Sequence, residues 1–217
     1  MNHSPDPHTT GPAELAARSP GDADRAALEP TKVPASYQRH GRFVAFVHDL
    51  VLTPGARADL RSGLGKDLDR AARMHRYIAS WTTQTGGQAL ERAHYTVAAL
   101  IAATHKDHHL IPGPLPERVR TLGQCLGEAI DPAKGLSEAS AEQHLHQLTR
   151  QSLRGLHRHL PSLARHLVTV AGPGSLDYPQ LLADLAAWSD HRGRVTRRWL
   201  QDFYRARYRT PTVPPKA

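Results

Sequence analysis

Apolar residues along this chain recur at intervals of three and four, and no stretch shows the strict β-branched alternation of a half-buried strand. The pattern predicts an all-α protein of roughly eight to nine helices, arranged as two packed helical bundles. Phe43, Phe46, Val47, Leu50 and Val51 form the first stripe. Thr53-Pro54 ends that helix and starts the next, with Thr53 at the cap and Pro54 in the first turn. GARADLRSGLG, residues 55–65, reads as a short helix closed by glycines. A third helix is expected over about Asp67 to Trp81, a fourth over Ala89 to His105, and another over Val119 to Ile130, where Gly123 and Gly127 point to close packing on one side.

Residues 132–136 look like a boundary between the halves. Beyond it, Ser140 to Gln143 has the form of a capping box for the helix that follows, which is expected to end near Ser152. Leu160, Leu163, Leu167, Val168 and Val170 mark a further helix, with Pro161 placing its start near His159 or Leu160. The last pair covers Leu176 to Arg205. Asp177 caps its first member, Ser189 to Gly193 breaks the pattern with Gly193 as the turn, and Val195, Trp199 and Phe203 share one side of its second member. The expected organisation is an acidic disordered tail over 1–35, a helical half over 36–136, a C-terminal bundle over 137–209 and a Pro-rich tail over 210–217.

Charge adds a partner to this picture. The 217 residues carry a formal net charge of +8, and lysine occurs only at Lys32, Lys66, Lys106, Lys134 and Lys216 among 28 basic residues. Arginine, used almost throughout, suits bidentate phosphate contacts, so the balance points to a polyanion and most simply to nucleic acid. A single cysteine, Cys125, rules out an internal disulfide and reads as a small core residue. The strongest apolar run, Val97 to Ala103, is far short of the roughly 20 residues that span a bilayer. With no signal-peptide pattern at the N-terminus, a cytoplasmic protein with no membrane partner is expected.

Arg57 and Arg61 lie four apart on one face of the short second helix, where they suit phosphate contacts. Arg154, Arg158 and Arg165, with His157, His159 and His166, gather around the later helix, and Arg194, Arg198 and Arg205 fall away from the apolar stripe of the last one, with Arg197 near them. His105 to His109 is dense in histidine and invites a zinc reading, but its spacing matches no common ligand pattern and an exposed loop is the plainer account. His48-Asp49 prompts a second alternative, an all-helical HD-type phosphohydrolase, although it sits mid-helix in an apolar pattern. A free-standing DNA-binding regulator would need a helix–turn–helix, and none stands out. No cofactor, metal or catalytic residue is expected.

FVHDLVL followed by GARADLRSGLG, then TLGQCL at 121–126, SAEQHLHQLTR at 140–150, LARHLV at 163–168, LDYPQLLADLAAW at 176–188 and RRWLQDFYR at 197–205 resemble, as an ordered set from Phe43 to Tyr208, the CasB family. This is the small subunit of the type I-E CRISPR surveillance complex, Cascade. The resemblance implies two helical bundles without catalytic machinery that line the belly of the complex and hold nucleic acid by its backbone. It carries Arg61, Arg150 and Arg165 over as binding residues, with His166 in place of the second member of a basic pair and Gln143 and His144 where relatives often have arginine. It implies as partners a guide RNA, the target and displaced DNA strands, other Cascade subunits and further copies of the chain. The expected nucleic-acid-binding set is therefore Arg57, Arg61, Arg150, Arg154, Arg158, Arg165, His166 and Arg198. Few aromatics are left outside the core by this pattern, so phosphate tracking is expected over base stacking.

Overall fold

A computed structural model describes residues 34–82, 87–105 and 118–208, and among these the protein is helical, with no strand beyond a single isolated bridge between Asp131 and Leu136. The expected tails over 1–35 and 210–217, apart from Pro34 and Ala35, and most of the His105 to His109 cluster, lie outside the described residues. Among the described residues nine α-helices follow in order: α1 (Ala35–Leu50), α2 (Pro54–Arg61), α3 (His75–Ile78), α4 (Gly87–Thr104), α5 (Leu122–Glu128), α6 (Glu138–Thr149), α7 (Leu153–Ala171), α8 (Tyr178–Ala186) and α9 (Trp188–Arg207).

α4 is central because it is apolar nearly all round. Val97 through Ala102 are all buried, so the helix has no solvent face at its middle and packs against α1, α2, α7 and α8. The most extensive helix pair is α5 with α9, where the glycines of α5 let the two backbones meet. Buried residues of every helix from α1 to α9 join one hydrophobic core, with Trp188, Trp199, Phe43 and Phe203 its largest fully buried side chains. Asp177 ties three segments to that core. Its carboxylate caps α8 by accepting from the Gln180 amide (2.9 Å), and it accepts from the Arg120 amide (2.9 Å) and from the Tyr37 hydroxyl of α1 (3.0 Å).

Four expected elements differ. The helix expected over Asp67 to Trp81 is a chain of single turns: 3₁₀ turns at Leu68–Arg70, Ala72–Met74 and Ala79–Trp81 surround the one-turn α3. Leu68, Ala71 and Met74 recur every three residues, which is the period of a 3₁₀ turn, and Ala71 leaves the helical region at φ −101°, ψ 27°. Thr53 does hold the cap position of α2, yet its side chain makes no capping bond.

α6 starts earlier than expected. Ser137, not Ser140, is its cap, with the hydroxyl accepting from the Ser140 amide at 3.2 Å, and the helix ends at Thr149. α7 likewise starts at Leu153, with Ser152 accepting from the Gly155 amide, and runs straight through Pro161. The proline removes one backbone hydrogen bond, but its ring is buried and the Leu156, Leu160, Leu163, Leu167 stripe continues on both sides of it.

α8 ends at Ala186 with Ala187 as its C-cap, and Trp188 opens α9. The expected break within Ser189 to Gly193 is a kink at His191 (φ −131°, ψ 28°), and Gly193 lies in the helix that resumes beyond it rather than making the turn.

Candidate nucleic-acid interface

α7 is the most distinctive surface element. Its nineteen residues include no acidic side chain, and it buries Leu156, Leu160, Leu163, Leu167 and Val170 along one side. Arg154, Arg158 and Arg165 come out exposed on the other. At 1.5 Å rise per residue, their spacings of four and seven correspond to about 6 and about 10 Å along the axis, so the three guanidinium groups are spread along the helix rather than gathered at one point. His159 is exposed beside them. His157 is not part of this set: it is buried against α4, bonded to the Thr96 hydroxyl at 2.7 Å, and burial pushes its imidazole down to about 4.

Arg150 stands at the C-cap of α6, exposed, and lines a shallow groove with Gln143, His146, Gln147 and Gln151. His166, half-buried on α7, meets His144 of α6 edge-on, with ring centroids 6.3 Å apart. Burial and the neighbouring His166 hold His144 below its ordinary value. His144, where relatives often have arginine, and His166, in place of the second member of a basic pair, thus form a His–His contact.

Arg154 has a partner already. Asp67, just beyond α2, accepts from Arg154 at 2.7 Å and from Arg92 of α4 at 2.8 Å. The Arg92 hydrogen bond is the leading reason the Asp67 carboxyl titrates below its ordinary value. Arg57 and Arg61 sit on α2, which packs on α4, with Arg61 exposed at its C-terminal end and Arg57 partly buried.

Arg198 belongs to a different environment. It is ion-paired with Asp184, whose side chain is 1% exposed, and the same carboxylate accepts from the Trp199 indole (2.5 Å) and the Gln180 amide group (2.6 Å). Burial raises Asp184 to about 6, against the pull of Arg198. Arg198 therefore balances a buried charge in the core of the α8–α9 pair, a role that sequence spacing does not reveal because Asp184 lies in an apolar run. Arg194 and Arg197 are exposed on the same helix, while Arg205 pairs with Asp202 at 3.0 Å. The structure brings Arg150, Arg154, Arg158, Arg165 and His166 together on the α6–α7 pair; it sets Arg57 and Arg61 on α2 and Arg198 on α9.

In the His48-Asp49 pair, His48 has a buried Nδ1 without a hydrogen-bond partner and Asp49 is exposed, so the two side chains face different surroundings. Among the described residues no three His, Cys, Asp or Glu side chains are placed to hold a metal ion. Cys125 is buried, and burial pushes its thiol up to about 11. No described helix is long and apolar enough to cross a membrane.

Comparison with known proteins agrees with this architecture. The family model of the CRISPR-associated protein Cse2 matches residues 56–204. A solved chain of a CRISPR RNA-guided surveillance complex is 35% identical, with a TM-score of 0.67, covering 79% of this chain and 95% of its own. A chain from such a complex in a pre-nicking state is 36% identical over 79% and 94%, with a TM-score of 0.68. The crystal structure of CasB from Thermus thermophilus is 26% identical over 76% and 97%, with a TM-score of 0.56. Curated protein sequences give no match. The all-helical fold, the ordered motifs and these likenesses agree: the chain belongs to the CRISPR-associated Cse2 (CasB) family.

Proposed function

We propose that the chain is a non-catalytic, nucleic-acid-binding small subunit of a type I-E RNA-guided surveillance complex, acting beside the other Cascade subunits and further copies of itself. Its work is to hold guide RNA and target DNA, and the strand that guide pairing displaces, by the backbone and without regard to sequence. The observation that carries this reading is the acid-free outer face of α7, with Arg158 and Arg165 exposed and Arg150 beside its start. R-loop formation is nearly balanced in energy, so a few phosphate contacts to either strand tip it. A rigid helix that presents arginines at separate phosphates supplies such contacts with no reading of bases. The buried, high-titrating Cys125 thiol is a poor nucleophile, which supports a binding role over covalent catalysis.

The test is reconstitution with the other complex subunits and a guide RNA. Changing Arg150, Arg158 and Arg165 to Ala is expected to shorten R-loop lifetime while leaving recognition of the short flanking motif intact. An R-loop lifetime equal to wild type in the assembled mutant complex would refute the reading.

A further inference from the structure

The C-terminal end of α9 exposes an aromatic pair that phosphate tracking does not use. The Tyr208 ring lies nearly parallel to that of Tyr204, 9° between planes and 6.2 Å between centroids, and Tyr208 is 68% exposed. Both rings are fixed from α6: Tyr208 donates to Glu138 at 3.1 Å, and Tyr204 donates to Glu142. These carboxylate bonds lead the effects that raise both phenols above their ordinary value, Tyr204 to about 12, so both rings stay neutral. Glu138 is further neutralised by Arg207 at 2.7 Å. Beside the pair, Gln124, Gln201, Asp202 and Arg205 line with Tyr204 and Tyr208 an open groove of roughly 820 Å³.

Resting on the functional reading above, we propose that this end of α9 is a stacking platform for an unpaired nucleobase of single-stranded nucleic acid, with Tyr208 continuing the Tyr204 stack onto the base and Gln124 and Gln201 meeting its polar edge. The charge pattern selects the base over the phosphate. Glu138 and Asp202 are ion-paired with Arg207 and Arg205, and Glu142 accepts from the Tyr204 hydroxyl, which leaves little net positive charge to hold a phosphate beside a flat, partly apolar ring. Such a surface suits a π-face, and the backbone charge is left to the arginines of α7. Amide side chains both donate and accept, so they serve any base without strong preference. Two stacked rings held by hydrogen bonds are already in place for binding, which lowers its entropic cost.

The test compares binding of labelled oligothymidylate with binding of an abasic strand of equal length and charge, using the full chain as wild type, Tyr208→Ala and Tyr208→Trp. Stacking on one aromatic contributes enough that wild type should prefer the base-bearing strand by about 5- to 100-fold. Tyr208→Ala should lose that preference while keeping wild-type affinity and salt dependence for the abasic strand, and Tyr208→Trp should keep the preference. Equal binding of both strands by wild type, or a preference that survives Tyr208→Ala, overturns the platform alone. Failure of wild type to bind either strand overturns the functional reading and the platform with it.

Discussion

Gly123 of α5 faces the backbone of Trp199 so closely that a Cβ built on it would overlap the Trp199 carbonyl. One turn on, a Cβ on Gly127 would stand 2.8 Å from the Phe203 carbonyl oxygen. The α5–α9 contact is thus a backbone-to-backbone packing that only glycine allows. Gly123→Ala should destabilise the protein by about 1–3 kcal/mol or more, since the obstacle is main chain and cannot rotate away. Gly193→Ala is the control. It lies within α9 with nothing near its Cβ, and should be neutral or stabilising by up to about 1 kcal/mol. Melting temperatures of the two variants check this; equal values would contradict it.

Trp199→Ala removes a fully buried indole and leaves Asp184 with one donor fewer. The cost should be about 3–5 kcal/mol. Trp199→Phe keeps most of the volume but loses the hydrogen bond, and should cost less, about 1–3 kcal/mol. Denaturant unfolding of both variants separates packing from the hydrogen bond.

Folding stability should fall between pH 6.5 and about 4. Burial lowers His40 and His157 from 6.5 to about 4, and lowers His48, His94 and His144 in the same direction. In that window the unfolded chain binds more protons than the folded one, so stability is full above the unfolded value and is lost as pH falls toward the folded values. Asp184, raised to about 6, and Asp177, also raised by burial, pull the opposite way but are two groups against five. Urea midpoints that stay constant from pH 7 to pH 4.5 would contradict this.

Under the proposed function, Asp67 competes with phosphate for Arg154. Asp67→Asn should release that exposed guanidinium, raise nucleic-acid affinity and steepen its salt dependence by about one phosphate's worth, a slope change of roughly 0.7–0.9. A binding titration at several salt concentrations reads this directly. An unchanged slope would mean Arg154 does not reach nucleic acid.

Much of the fold is legible in the sequence, because helical period and caps are local. The Asp177 cap, Pro54 in a first turn and the α5 glycines all stand where spacing places them. Starts of helices are less legible where two serines compete. Ser137 and Ser140 both suit a cap, and the fold takes the one that adds a further turn. Pro161 misleads because a buried apolar stripe outweighs one lost hydrogen bond. At the interface, the arginine-bearing helices are visible from spacing, but the carboxylates that occupy two of the arginines are not: Asp67 is 87 residues from Arg154, and Asp184 hides in an apolar run. The Tyr204–Tyr208 stack is missed because the carboxylates that hold the two rings, Glu142 and Glu138, lie on α6, 62 and 70 residues away in the chain.

The salt dependence of single-stranded DNA binding by the Arg150→Ala, Arg158→Ala, Arg165→Ala triple variant, beside wild type, tests the backbone-binding account most directly. All three residues are exposed, so the melting temperature should be unchanged, each arginine contributing within about 0.5 kcal/mol to stability. Affinity at low salt should fall, and the slope of log K against log[salt] should flatten by about 2, three lost phosphates at roughly 0.7 each. A well-folded triple variant with wild-type affinity and an unchanged slope would contradict the account.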